Sequence, residues 1–191
     1  MIGTKIDVKY ENVSYTALLV SDGREATKEE FTRLPLLLSR LPSPLRSQLL
    51  DYLATNFDTL PLPLGLPETL LRRCLDEYIA ASQGGGGNDV VLTFAGKGEG
   101  LKRVTVTITA EDVEKFWRRG EAGGEKSREG FLRTLGGHLE NAMGLRIEEV
   151  VLVKIATGGF VLAVEGKAKF FETGGSAVVG KVLQEAGRGG S

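Results

Sequence analysis

The fold of this chain is decided by residues 104–171. This stretch contains V-T-V-T-I-T-A-E-D-V-E-K-F-W (104–117), F-L-R-T-L-G-G-H-L-E-N-A-M-G-L-R-I (131–147) and V-V-L-V-K-I-A-T-G-G-F-V-L-A-V-E-G-K-A-K-F-F (150–171). Strict alternation of valine and threonine is typical of a strand, whereas apolar residues three or four apart are typical of a helix. Short glycine turns divide the last part. The stretch therefore predicts a strand, two helices and a meander of three strands.

The flanking sequence adds elements of the same two kinds. A strand at 90–95 forms a hairpin with the strand at 101–108, and an N-terminal hairpin turns near Glu11 and Asn12. Apolar stripes predict helices at 43–57 and 67–81, and a weaker one at 176–185. Pro35 excludes a long helix before the first of these, which Ser43 is expected to cap. Within residues 104–147, Thr109 and Asp112 form a capping pattern for the first helix, and Ser127 is expected to open the second. The predicted fold class is α+β, with a mostly antiparallel twisted sheet and helices packed on one face.

Glycine-rich stretches suggest how the chain is divided. The run S-Q-G-G-G-G-N-D at 82–89 is the clearest boundary, as a linker or as a long loop within one domain. We expect an N-terminal hairpin and helical part at 1–83, a glycine-rich linker or loop at 84–88, and a C-terminal strand-strand-helix-helix-strand meander domain at 89–187. Residues 188–191 are expected to form a flexible tail.

Composition excludes several classes of protein. The chain has 191 residues, of which 41% are hydrophobic and 26% charged, with a net charge of −1. These values suit a soluble globular protein and give no bulk attraction to nucleic acid. One cysteine allows no internal disulfide and favours a cytosolic or nuclear compartment. No apolar run reaches membrane-spanning length, and the first residues lack the apolar region of a secretory signal, so no membrane association is expected.

The sequence offers little for catalysis or cofactor binding. His138 lies mid-helix without a second histidine, and Cys74 lies on the apolar stripe of a helix, where a free cysteine is usually a small core residue. The run G-K-G-E-G at 96–100 leads into a strand instead of a helix N-terminus, so it is a turn and not a phosphate loop. We predict no catalytic, cofactor-binding or metal-binding residues.

Two features of the last strands suggest binding. Basic residues form a face that could contact a DNA backbone: Lys154, Lys167 and Lys169, with Arg118 and Arg119 on the preceding helix. The alternative is a solvated sheet face, which is often rich in lysine. The strands are also apolar on both sides and need cover on both, from a partner or from the N-terminal part of the chain. The candidate partner-binding residues are Val151, Val153, Ile155, Phe160, Leu162, Val164 and Phe170.

A succession of short motifs resembles one family. The motifs are E-F-T-R-L-P-L-L-L (30–38), N-F-D (56–58) before P-L (63–64), V-T-I-T-A-E-D-V-E-K-F-W (106–117), H-L-E-N-A-M-G-L-R-I (138–147), L-V-K-I-A-T (152–157) and E-G-K-A-K-F-F (165–171). Their order and spacing are similar to those of centromere protein L (CENP-L) in its fungal inner-kinetochore form. Relative to familiar members, which carry a further domain at the N-terminus, this chain is shorter there. The Gly84–Gly87 insertion and the glycine-rich tail also depart from the pattern.

The resemblance implies a non-enzymatic structural subunit of the constitutive centromere-associated network, the inner kinetochore. Such a subunit pairs with a centromere protein N-type partner through its C-terminal sheet, contacts other inner-kinetochore subunits and supports chromosome segregation in cell division. It resides in the nucleus, at the centromere and kinetochore of the chromosome. The resemblance also allows a homodimer through the same surface and contact with centromeric DNA. The alternatives are a standalone DNA-binding module that uses the basic sheet face, and an enzyme that uses His138 or Cys74.

Overall fold

A computed structural model of the chain describes residues 3–10, 12–21, 23, 32–97, 102–122, 130–171 and 175–188. In these ranges the chain forms five helices and two antiparallel sheets of three and five strands, which confirms the predicted α+β class. The chain divides into two compact units, Met1–Leu64 with Gly180–Ser191, and Gly65–Val179. The glycine-rich stretch at 84–88 lies inside the second unit. Of the tail expected at 188–191, all but Arg188 lies outside the described residues.

The first unit contains a three-stranded sheet and a helix. Its elements are β1 (Gly3–Tyr10), β2 (Val13–Val20), β3 (Leu36–Ser39) and α1 (Ser43–Phe57). The hairpin pairs Tyr10 with Val13 across the turn predicted near Glu11 and Asn12, of which Glu11 lies outside the described residues. Ala17, Leu49 and Leu53 form the core between the sheet and α1. One inward stripe of α1 therefore holds this unit together.

Two local details of this unit differ from the expectation. Strand β3 was not predicted, since Pro35 indicated only the absence of a long helix, yet Leu36–Ser39 pair with β2 directly after that proline. Helix α1 begins after Pro42 without a side-chain cap, although Ser43 was expected to cap it. The helix ends where Asp58 adopts a left-handed conformation, with φ 48° and ψ 41°.

The second unit is built around the five-stranded sheet. Its elements are α2 (Glu68–Ala81), β4 (Val90–Gly96), β5 (Arg103–Ile108), α3 (Ala110–Ala122), α4 (Gly130–Met143), β6 (Val150–Ala156), β7 (Phe160–Ala163) and β8 (Ala168–Phe170). The strand order is β5-β4-β6-β7-β8, all antiparallel. The last helix, α5 (Gly175–Arg188), follows β8. Strand β5, helices α3 and α4 and the last three strands correspond to the pattern of residues 104–171, whereas α2, β4 and α5 correspond to elements predicted from the flanking sequence. Helix α4 was expected to begin at Ser127, which lies outside the described residues.

Capping interactions define the start of α3 and the end of α4. The Thr109 hydroxyl accepts a hydrogen bond from the Asp112 amide at 3.4 Å and donates one to its carboxylate at 3.0 Å, as the capping pattern predicted. Helix α4 ends at Gly144, whose φ of 67° lets Leu145 N–H reach the Leu139 carbonyl at 3.3 Å.

The glycine run is an ordered turn between α2 and β4. Residues 83–87 all have positive φ, between 51° and 101°, a conformation that glycine adopts without steric cost. The Ser82 hydroxyl accepts a hydrogen bond from Gly85 N–H at 3.0 Å and donates one to the Tyr78 carbonyl at 2.6 Å. The four consecutive glycines therefore suit a turn in which each residue has a positive φ.

Helices cover one face of the five-stranded sheet. Helix α2 packs against β6, and its Tyr78 ring meets the Phe160 ring edge to face at 5.7 Å. The side chains on this covered face are almost completely buried: Leu92, Phe94, Leu152, Ile155, Phe160 and Leu162. They form the largest core of the described residues.

A bulge in β6 changes which residues face the helices. Thr93 pairs with Lys154 but Phe94 pairs with Leu152, so Val153 is an extra residue between the two pairs. The Leu152 N–H donates to the Glu68 carboxylate of α2 at 3.1 Å, and the Val153 carbonyl accepts from Val164 N–H at 3.0 Å. The bulge leaves both Val153 and Lys154 on the side away from the helices.

Candidate interaction surface

The face of the five-stranded sheet opposite the helices forms a shallow groove of about 490 Å³. We call it the open face. Residues of β4, β5, β6, β7 and β8 and the turn before β8 line it: Thr93, Arg103, Thr105, Val153, Lys154, Val161, Ala163, Glu165, Lys167, Ala168 and Lys169. The lining combines small apolar side chains with cations and hydroxyl groups.

Strand register places these side chains together. Thr105 lies opposite Thr93, and their hydroxyl oxygens are 3.4 Å apart. Lys154 lies opposite Ala163, and Val161 lies opposite Lys169. Because side chains alternate between the two faces of a strand, each of these residues points away from the core that its neighbours in sequence fill.

The open face is positively charged. Its lining contains four basic side chains, Arg103, Lys154, Lys167 and Lys169, and one carboxylate, Glu165. A hydrogen bond from its own backbone amide, reinforced by Lys167 at 3.4 Å, lowers the pKa of Glu165 below its ordinary value. The Lys169 ammonium lies over the Phe171 ring, 4.8 Å from its centroid. A surface with this charge attracts an acidic partner or a phosphate backbone.

The predicted partner-binding residues divide between the two faces of the sheet. Val153 lines the open face, and Val151 lies on the same side, opposite Ala95. Ile155, Phe160 and Leu162 are 0% exposed and belong to the core under the helices. Val164 and Phe170 are half-buried beyond the end of β7 and on the edge strand β8. Val151 and Val153 are therefore the members of this set that a partner can contact on the open face.

The predicted DNA-facing residues are also separated. Lys154, Lys167 and Lys169 come together in the groove, as their alternation suggested. Arg118 and Arg119 are exposed on α3 and are not among the residues that line the groove, and Arg118 forms an ion pair with Glu114 at 2.5 Å. The basic surface of the sheet therefore consists of the three lysines with Arg103.

Sequence reasoning missed several residues of the open face. Val161 and Ala163 were passed over in favour of Phe160 and Leu162, because β7 is apolar at every position and its own pattern does not reveal which side faces the helices. The threonines of the neighbouring strands could have identified this face, because Thr93, Thr105 and Thr107 lie on the outward side of β4 and β5. Arg103, which begins β5, belongs to the same outward set.

Two edges of the sheet complete the surface. Strand β8, with three residues, is one edge, and β5 is the other. An edge strand presents unpaired backbone N–H and carbonyl groups with which another chain can extend the sheet. Cations and valines of the open face thus lie next to a strand edge at β8.

The residues considered for catalysis have unpromising surroundings. Cys74 is buried on α2 with the apolar residues Leu71 and Leu75, as a free cysteine in a core position commonly is. His138 is exposed, with its ring 5.2 Å from that of Phe116. Across the described ranges, no three His, Cys, Asp or Glu side chains come together as a metal site. Among the helices in the described part of the chain, none has the length and apolar character needed to cross a membrane.

Comparison with known proteins gives one match. A family model described as CENP-L, Centromere protein L, matches residues 2–187 of the chain. No curated protein matches it. The family match covers nearly the whole chain, including every strand of the open face.

Proposed function

Because the chain belongs to the centromere protein L family, we propose that it pairs with a centromere protein N-type subunit through the open face and the β8 edge. The family consists of structural centromere and kinetochore proteins that take part in chromosome segregation, which implies a location on the chromosome in the nucleus and other inner-kinetochore subunits as partners. Beyond this role of the family, we propose a particular partner for this chain and a particular surface that binds it.

The open face is the observation that supports the pairing most strongly. Val153 and Val161, both half-buried, form an apolar centre on a sheet whose other face is already covered by helices, and the buried Ala163 lies beneath them. Covering such a centre with a partner's sheet removes apolar surface from water, and strand addition at β8 would supply backbone hydrogen bonds. Phe160, Leu162 and Ile155 serve the pairing indirectly, because they hold the strands that present this surface.

Substitution at the centre of the open face tests the proposal. Val161→Asp is expected to weaken the complex with the centromere protein N-type subunit by about 100-fold or more, since an unpaired charge buried in an interface costs on the order of 3 kcal/mol. Val13→Asp is the matched control, because Val13 is an exposed valine of the first unit. The measurement is the mass of the purified mixture by light scattering. Equal complex formation by both variants would refute the proposed surface.

We also propose that two copies of the chain associate through the open face when the partner is absent. The same apolar centre then remains exposed to solvent and favours self-association. Light scattering of the chain alone should show a dimer that Val161→Asp converts to a monomer. A wild-type monomer at high concentration would contradict this part of the proposal without affecting the heterologous pairing.

Direct contact with centromeric DNA is a second candidate function, favoured by the cluster of Arg103, Lys154, Lys167 and Lys169. Each phosphate contact that is lost lowers the slope of log affinity against log salt by about 0.9. Lys154→Gln with Lys169→Gln should therefore lower the slope by about two. Arg118→Gln with Arg119→Gln is the comparison on α3 and should leave it unchanged. If the chain alone does not bind DNA at low salt, it is not a standalone DNA-binding module.

A further inference from the structure

A second exposed surface lies in the first unit, at the end of α1 and in the segment that follows. Four large hydrophobic residues within eleven positions are mostly exposed: Tyr52 (55%), Phe57 (60%), Leu60 (79%) and Leu62 (73%). We call these four residues the apolar ridge. Large apolar side chains concentrated in this way mark an interaction site more often than chance exposure does.

The ridge does not belong to the core of its own unit. Helix α1 directs Leu49 and Leu53 into the core with Ala17, and those positions are its buried residues. Tyr52 and Phe57 are not among the buried residues of α1, and their rings meet edge to face, 5.9 Å between centroids. The aromatic pair is thus held in a fixed arrangement at the surface instead of being drawn inward.

Prolines restrict the segment after α1 to an extended conformation. Asp58 ends the helix, and residues 58–67 form neither helix nor strand. Pro61 and Pro63 fix their own φ angles and restrict Leu60 and Leu62 to extended geometry. Leucine alternating with proline in this way favours the polyproline II conformation, which loses little conformational entropy when it binds.

The charges near the ridge are of one sign. From Ser47 to Pro67 the chain contains two carboxylates, Asp51 and Asp58, and no lysine or arginine. A complementary binding site would therefore carry lysine or arginine at its border. Grooves that accept proline-rich extended segments are lined by aromatic side chains.

We propose that the apolar ridge docks into an aromatic-lined groove, bordered by basic residues, on another inner-kinetochore subunit. Leu60 and Leu62 enter the groove from the extended segment, the Tyr52–Phe57 pair packs at its end, and Asp51 and Asp58 face its basic border. This contact rests on the proposed function, because it takes the partner from the same assembly. The apolar ridge belongs to the first unit and the open face to the second, so the chain would carry two docking surfaces for two partners.

The experiment measures binding of the full chain to each of the other inner-kinetochore subunits, purified individually from the same organism. Leu60→Asp with Leu62→Asp should weaken binding to one subunit by at least about ten-fold, as expected when central apolar anchors are lost. Thr55→Asp with Thr59→Asp is the matched control, since both threonines are exposed, lie next to the ridge and receive the same charges. Pro61→Ala with Pro63→Ala keeps both leucines and should weaken binding about three-fold through lost preorganisation. Circular dichroism checks that every variant keeps its fold.

The variants separate this proposal from the pairing through the open face. Val161→Asp should abolish binding of the centromere protein N-type subunit and leave the ridge partner unaffected, and the leucine variant should do the reverse. The ridge proposal is overturned if the leucine variant binds every subunit as the wild type does, or weakens only self-association, or weakens only the pairing that Val161→Asp abolishes. If the wild-type chain binds none of the subunits, both proposals fail.

Discussion

The two faces of the five-stranded sheet use neighbouring residues for different purposes. Phe160 is fully buried beneath the helices, whereas Val161, the next residue, lines the open face opposite Lys169. On the covered face, the inward side chains of the central strands β4, β6 and β7 form one closely packed core. On the open face, valine, threonine and lysine alternate in a pattern that the fold alone does not require. Residues of the core and residues of the proposed interaction surface therefore alternate along a single strand.

This comparison has a practical consequence for mutagenesis. A substitution on the covered face is expected to change stability first, whereas one on the open face is expected to cost little stability and, if the proposed pairing holds, to change binding. Substitutions one residue apart are therefore expected to have different kinds of effect.

The largest expected effect separates the two faces directly. Phe160→Ala should lower the free energy of unfolding by about 3–5 kcal/mol, because it leaves a cavity among fully buried residues. Val161→Ala should cost less than about 1 kcal/mol, since that side chain is only partly buried. Urea denaturation of both variants measures the difference. Equal costs would show that the open face is also part of the core.

A smaller effect is expected at the bulge in β6, where the extra residue changes which side chains point to each face of the sheet. Glu68→Gln weakens the acceptor for Leu152 N–H and removes the ion pair with Arg72, so it should cost about 1–2 kcal/mol. Hydrogen exchange of the Leu152 amide should also become faster. Glu111→Gln is the control, because its pair with Lys115 is exposed and contributes little to stability. If exchange at Leu152 is unchanged, the carboxylate does not hold the bulge.

The smallest effect concerns the charge of the open face. The pKa of Glu165 is lower in the folded chain than its ordinary value of 4.5. Its stabilising contribution is therefore fully present above that value and is lost as the pH falls through the lower, folded pKa. NMR titration of the Glu165 side chain should show a midpoint below 4.5, which Lys167→Gln shifts upward. A midpoint at or above 4.5 would contradict the local hydrogen bonding described above.

The sequence predicted the elements better than it predicted their faces. Alternation in β5 and the apolar stripes of α2 and α4 are strong signals, because each element buries only one side. Strand β7 contains no such contrast, since Phe160, Val161, Leu162 and Ala163 are all apolar. Only pairing with β8 and β6 determines its orientation, and that pairing is not a local property of the sequence.

Two further details depended on context that the local sequence lacks. The bulge at Val153 shifts the face of the β6 residues after it, and the Leu152 N–H beside it donates a hydrogen bond to a carboxylate 84 residues away. Strand β3 follows a proline and is only four residues long, so it forms because β2 offers a partner. Long-range pairing decided both outcomes.

Hydrogen exchange of the chain, alone and bound to the centromere protein N-type subunit, tests the central claim most directly. The pairing proposed here predicts that binding slows exchange of backbone amides in 161–171, which span β7, β8 and the turn between them. It predicts no change in β1 and β2, at 3–10 and 13–20. A complex that forms without added protection in 161–171 would contradict the proposed pairing surface.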